Sequence, residues 1–177
     1  MAVILCFVVL ALTAMPSLGQ QKTREAPART NAPPTHILFV CTGNFYRSRF
    51  AEEYFNYKAK QLGLACRAES RGTIVVPGAD PGPPGMSPTT LVKLEERGIK
   101  PAGTNRCRMA LSTNDISRFD VFVALNGAEQ LEAMKRVGYP AQRTISWDIQ
   151  DGVENVDREF SRLVADLDAL LKDCIVP

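Results

Sequence analysis

His36-Ile37-Leu38-Phe39-Val40-Cys41-Thr42-Gly43-Asn44-Phe45-Tyr46-Arg47-Ser48 runs an apolar segment into a cysteine, a short turn, and an arginine–serine pair that opens a helical pattern. Ile37 to Val40 read as a buried strand whose end fixes the position of the Cys41 sulfur. Gly43 is expected to supply a backbone conformation that other residues resist, and Asn44 to tolerate the left-handed region. In a strand–turn–helix unit the N–H groups of the turn and of the helix N-terminus converge on one point and make an anion site. The same environment stabilises a thiolate at Cys41, and Arg47 offers a planar fork to two oxygens of a phosphate. Cys41 is therefore the candidate nucleophile and Arg47 the candidate clamp. Thr42, Gly43, Asn44, Phe45, Tyr46 and Ser48 are the candidate phosphate-binding loop.

Downstream, residues 48–62 carry an apolar face of Ala51, Tyr54, Phe55, Ala59 and Leu62, with Gly63 as a helix stop. Residues 64–70 are expected to form a second strand, and 74–88 a loop dense in turn formers. A helix over 89–97 closes at Gly98, and 104–117 is expected to hold a short strand and a helical turn. Residues 120–125 (DVFVAL) are apolar enough for a strand buried on both faces. A helix over 127–137, a short strand over 143–147 and the loop 148–152 follow. The closing helix repeats Phe160, Leu163, Val164, Leu167, Leu170 and Leu171 at helical spacing. Strands alternating with helices imply the α/β class: a three-layer α/β/α sandwich on a central parallel sheet of about four strands. The phosphate loop then lies between first strand and first helix, and Cys41, Ser70 and Asp151 share the rim at the strands' carboxyl ends.

The 177 residues suffice for one domain with a proper core. Residues 1–19 are apolar and end in the small residues Ser17 and Gly19, like a secretory signal. That run is too short for a stable membrane span. Residues 20–35 are polar and proline-rich, as expected of a disordered linker, so the folded domain is placed at 36–177. Export is the expectation, and the cytoplasm is the alternative if translation starts downstream of Met1. A net charge of +2 is too mild to argue for a nucleic acid or an anionic membrane surface as partner. The five cysteines (Cys6, Cys41, Cys66, Cys107 and Cys174) form no CxxC pair, and His36 is the single histidine. This argues against a zinc site or a cysteine–histidine pair and for a nucleophile activated by electrostatics, with no metal or cofactor.

Val40-Cys41-Thr42-Gly43-Asn44, then Arg47-Ser48 and Ala51-Glu52, resembles the phosphate loop of low-molecular-weight protein tyrosine phosphatases. It is also similar to the loop of the thioredoxin-coupled arsenate reductases that share their fold. The likeness runs from about His36 to the C-terminus. It implies hydrolysis of a phosphate monoester through a cysteinyl-phosphate, on phosphotyrosine protein or a small aryl phosphate. Ser48 would hydrogen-bond the sulfur, and Asn44 would hold the loop. Ser70-Arg71-Gly72-Thr73 resembles the family's Ser-Ala-Gly-Thr turn beside the site. The family's acid is an aspartate in an Asp-Pro pair. Asp151, four residues past Trp147, matches it best, with Gly152 in place of the proline.

The departures are specific. Tyr46 stands where many family phosphatases have a second cysteine, and Ile74, Val75 and Val76 where an aromatic residue lines the pocket. Phe45 and Tyr46 either line the mouth instead or pack. Arg49 replaces a proline, and either adds positive charge near the phosphate or is a solvated surface residue. The reductases pass oxidation to cysteines at positions that are Asn126 and Ala133 here, and Cys66, Cys107 and Cys174 do not match them. An arsenate reductase and an inactive phosphate-binding module are the alternatives. Oligomeric state and the roles of Cys66, Cys107 and Cys174 are not legible.

Overall fold

Alternation along β1 (His36–Cys41) divides the core in two. In the computed structural model, which describes residues 36–75, 85–152 and 154–174, Ile37 to Val40 are each fully buried. The signal-like and linker readings fall on residues 1–35, outside the described ones. Ile37, Phe39 and Cys41 point to one layer, where they meet Phe50, Ala51 and Phe55 of α1 (Arg47–Gln61) and Phe160, Leu163 and Leu167 of α4 (Val156–Asp173). Leu38 and Val40 point to the other, against Phe122, Ala124, Met134 and Tyr139. Burying each such side chain contributes about 1.5–3 kcal/mol, so a one-residue slip of β1 would exchange the two layers at great cost.

β1 pairs in parallel with β2 (Arg67–Gly72) on one side and β3 (Val121–Ala124) on the other, and β3 pairs with β4 (Thr144–Ser146). The order β2-β1-β3-β4 makes the first crossover step one way along the sheet and the last step the other. Because parallel crossovers are right-handed, α1 and α3 (Gly127–Val137) must lie on opposite faces. That is the expected three-layer α/β/α architecture, and it sets a topological switch point between β1 and β3. Ligands bind outside the strands' carboxyl ends at such a point, and Cys41 ends β1 there. Beside α1 lies α2 (Pro88–Glu95), started by Pro88 and capped by Ser87, whose hydroxyl accepts from Thr90 N at 3.0 Å.

The second strand is shifted from the expected 64–70. Leu64 N bonds Ala59 O at 2.9 Å and so belongs to the end of α1, while the ladder runs on to pair Gly72 with Cys41. The strand expected within 104–117 reduces to a single bridge between Gly72 and Ala110, followed by a 3₁₀ turn at Thr113–Asp115 boxed by Ser112 and Asp115. Among the described residues no helix is long and apolar enough to cross a membrane.

Cys66 and Cys174, separated by 108 residues, form a disulfide with Cα atoms 6.2 Å apart. It ties the approach to β2 to the end of α4, and leaves Cys41 and Cys107 as free thiols among the described residues. Replacing both disulfide cysteines with serine is expected to lower the unfolding free energy by about 4 kcal/mol, the scale for a cross-link closing a loop of about 100 residues. Urea denaturation of the two proteins measures this, and a midpoint unchanged by the double replacement would show that the bridge does not form.

Candidate active site

Cys41 is 2% exposed, with its sulfur turned into the loop that follows β1. Asn44 N–H donates to Sγ at 3.2 Å, and Ser48 Oγ lies 2.9 Å from it. Asn44 takes φ 48°, the left-handed conformation expected of it. Gly43 differs from expectation: it is not among the positive-φ glycines, and a Cβ there would meet only Phe45 Cβ at 4.0 Å. The loop's constrained glycine is Gly72, at the end of β2. A Cβ on it would lie 2.8 Å from Asn44 N and 2.9 Å from Gly43 C. With no side chain there, β2 continues alongside the loop, and Thr73 N and Ile74 N donate to Cys41 O and Thr42 O, each at 3.0 Å.

Asn44 is the hub. Its Nδ2 donates to Ser70 Oγ at 2.7 Å and Ser48 Oγ at 3.2 Å, and its Oδ1 accepts from Met109 N at 2.8 Å. Since Ser48 Oγ already accepts from Asn44, its own proton is available to the Cys41 sulfur. Ser70 thus reaches the site through Asn44, from within β2 and not from a turn. Met109 was not expected. Only the chain's return past Gly72 puts its N–H there.

Among the described residues the N–H groups of Thr42, Gly43, Phe45, Tyr46, Arg47 and Ser48 have no hydrogen-bond acceptor. Tyr46, at the N-cap of α1, makes no side-chain cap either. Loop and helix-start donors with no internal partner suit an anion. The aromatic pair divides: Tyr46 packs edge-to-face on Phe160 at 5.2 Å, whereas Phe45 is at the surface with the Arg108 guanidinium 5.7 Å over its ring. Burial, and next the charge of Asp151, push the Tyr46 phenol up. Thr42 turns its hydroxyl outward to Glu129 at 2.8 Å and accepts from Gln130 at 3.2 Å.

Arg47 is buried, and Nη1 donates to Ile149 O at 2.8 Å. Nη2 meets Asp151 Oδ2 at 3.0 Å, and the buried Nε has no partner. Cys41, Arg47 and Asp151 are thus brought to one rim. The loop carrying Asp151 is held from behind, by Ile149 N on Leu125 O at 2.8 Å and Gln150 N on Glu159 Oε2 at 3.0 Å. Asp151 itself stays 60% exposed. Asp148 is spent locally, taking Gln150 Nε2 and bridging to Asn126. Arg49 is not a solvated surface residue. It is fully buried, with Nη2 on Gly103 O at 2.5 Å, because the segment after residue 100 folds across the first turn of α1.

The family profile described as low molecular weight phosphotyrosine protein phosphatase matches residues 36–175. The chain belongs to that family. A low molecular weight phosphotyrosine protein phosphatase of Schizosaccharomyces pombe is 35% identical over 95 residues, covering 52% of this chain and 56% of that protein. A low molecular weight protein-tyrosine-phosphatase of Streptomyces coelicolor is 33% identical over 109 residues, covering 60% and 61%. The matched stretches therefore span about three-fifths of those relatives at most. The solved structure of YfkJ from Bacillus subtilis superposes with a TM-score of 0.67 at 24% identity, over 78% of this chain and 92% of that one, a likeness of fold.

Gly72→Ala tests the loop's shape without touching its chemistry. The added methyl displaces backbone at Gly43 and Asn44, and misplacements of about 1 Å in such loops cost on the order of 100-fold in rate. The expected outcome is a folded protein by circular dichroism with at most a few per cent of parental turnover. Unchanged kinetics would mean the loop is more adaptable than its packing indicates.

Proposed function

We propose that this chain hydrolyses phosphate monoesters through a cysteinyl-phosphate at Cys41, acting on phosphotyrosine protein or a small aryl phosphate. One observation carries the reading. A buried sulfur accepting from Asn44 N–H and meeting Ser48 Oγ lies in a loop whose other backbone N–H groups have no acceptor among the described residues, followed by an arginine whose Nε–H is still to be satisfied there. Those donors hold the three equatorial oxygens where charge gathers in phosphoryl transfer, so positioning and electrostatics do most of the catalytic work.

In the first displacement the Cys41 thiolate attacks phosphorus, the S–P bond forms, and the P–O bond to the leaving group breaks. Asp151 supplies the proton that the leaving oxygen takes up. In the second, Asp151 accepts a proton from water, whose oxygen displaces the sulfur. Ser48 then steadies the departing thiolate. The Asp151–Arg47 contact holds the acid over the rim until phosphate claims the guanidinium's Nε–Nη2 edge.

Reductase chemistry lacks its relay. Asn126 and Ala133 stand at the relay positions, and Cys66 and Cys174 are consumed in their disulfide. That disulfide supports the reading that the chain is exported to an oxidising compartment, since structural disulfides are rare in a reducing cytosol. Preparing the protein from its host and determining its N-terminus tests export, with a start at Met1 as the contrary result.

Cys41→Ser is expected to abolish turnover while phosphate still binds, and burst kinetics on the parent should reveal the phosphoenzyme. Retained turnover in Cys41→Ser would exclude the mechanism. Arg47→Lys keeps the charge but loses the fork, and a loss of at least about 100-fold is expected. Asp151→Asn should remove about 10²–10⁴-fold on phosphotyrosine, the usual worth of a general acid, and far less on p-nitrophenyl phosphate, whose phenolate leaves almost unaided. Equal losses on both substrates would assign Asp151 to loop structure.

A further inference from the structure

We infer that Glu52, clamped by Arg106, is a positioning residue that sets the direction of the hydrogen bonds ending on the Cys41 sulfur. The inference rests on Cys41 as nucleophile. It starts from proton bookkeeping along a buried chain. Ser70 Oγ accepts from Asn44 Nδ2 at 2.7 Å and from Arg106 Nη2 at 3.2 Å, so its own proton must go elsewhere. It goes to Glu52 Oε2, at 2.5 Å. With Ser70 turned this way, a lone pair of its Oγ faces the Asn44 amide, which donates one proton to it and the second to Ser48. Ser48 is left to donate to the sulfur at 2.9 Å. The carboxylate at the far end takes the Ser70 proton and so keeps Ser70 an acceptor for Asn44. Without an acceptor at Glu52, the Ser70 proton can turn against the Asn44 amide, which weakens the Asn44–Ser70 bond and loosens the amide that orients Ser48.

The surroundings of Glu52 are built for that task. Arg106 Nη2 meets Oε2 at 2.5 Å, and Arg49 Nη1 of the same helix lies 3.7 Å away. Burial pushes the Glu52 carboxyl up to about 7, aided by Glu53 and Glu69, while the Ser70 hydroxyl and Arg49 pull it back. The groups facing it are thus Arg49 and Glu53 from α1, Ser70 and Glu69 from β2, and Arg106 from the crossing segment. With two guanidiniums beside it, its charge is largely neutralised at the sulfur, and its influence travels through the hydrogen bonds.

Arg106 is itself delivered by a clasp. Glu53 accepts from Ala102 N at 2.9 Å and Gly103 N at 2.7 Å, and Arg49 donates to Gly103 O. A Cβ on Gly103 would lie 2.6 Å from Glu53 Oε1 and 2.8 Å from Arg49 Nη2. The buried Arg49 therefore serves the clasp. The first turn of α1 grips the segment that carries Arg106 to Glu52 and Met109 to Asn44.

The test is run in a Cys107→Ser background, so that the exposed thiol does not react. Iodoacetamide alkylation of Cys41 at pH 6–8 and steady-state kinetics with p-nitrophenyl phosphate are measured for Glu52→Ala, Glu52→Gln and Arg106→Gln. Glu52→Ala should slow alkylation and lower kcat by about tenfold, the scale of one hydrogen bond to a charged group, with KM changed less than about twofold. Glu52→Gln keeps an acceptor for Ser70 and should recover most of both, while losing any inflection near pH 7. Should Glu52→Ala not fold, Arg106→Gln reports the same link, with slower alkylation in a folded protein. Alkylation and kcat within twofold of the parent in folded Glu52→Ala, or in folded Arg106→Gln where Glu52→Ala does not fold, would overturn the inference. Faster alkylation in Glu52→Ala, or equal impairment of the alanine and glutamine variants, would overturn it as well. A parent that alkylates at Cys41 but turns over no aryl phosphate would instead refute the phosphatase reading, and the alkylation rates alone would then decide the role of Glu52.

Discussion

A loop that leaves its own N–H groups open cannot also spend those groups on holding itself together. Everything around Cys41 follows from that constraint. The Asn44 side chain replaces the missing backbone bonds, with both amide protons and the carbonyl oxygen committed to Ser70, Ser48 and Met109. It is fully buried, so any group left unpaired would cost about 1–3 kcal/mol. Asparagine also accepts the left-handed backbone at little cost. No other side chain meets both demands at that length.

The second demand is electrostatic. Arg47, Arg49 and Arg71 are buried to within 2% of exposure, and Arg106 is half-buried beside them. Buried guanidiniums are costly unless they are paired. Arg71 is paired, between Asp115 at 3.1 Å and Glu69 at 2.8 Å. Arg49 and Arg106 share Glu52 and the Gly103 carbonyl. Arg47 is anchored by one backbone carbonyl and one exposed carboxylate, and its Nε, like Nε and Nη1 of Arg49 and Nε of Arg106, has no hydrogen-bond partner among the described residues. What distinguishes Arg47 is the exposure of its partner: the Asp151 side chain is 60% exposed, against 12% for Glu52 and 3% for Asp115.

α4 connects the remaining parts. Phe160 receives both Tyr46 and Phe50 edge-on, at 5.2 and 4.6 Å. Glu159 beside it holds Gln150 N, and that N–H keeps its carboxyl below the usual range against the effect of burial. One helical turn thus seats the start of α1 and the loop of Asp151, and the Cys66–Cys174 bridge fastens the far end of the same helix.

The strand–turn–helix at 36–48, the parallel α/β sandwich and the trio of Cys41, Arg47 and Asp151 were legible in the sequence, because each rests on local rules. Apolar runs, helical spacing and the chemistry of a cysteine followed by an arginine act over a few residues. Nothing local marks Met109 as the partner of Asn44, Ile149 as the anchor of Arg47, or Cys66 as the mate of Cys174. Those contacts join residues 65, 102 and 108 positions apart. Arg49 read as a surface or phosphate-side charge, because its burial is created by a segment that returns some fifty residues later to close over α1. The sequence by itself determined the candidate groups for the chemistry. Only the tertiary structure decided what holds them, since a buried hydrogen bond or ion pair has its value from the exclusion of water, and that exists only once distant segments have packed.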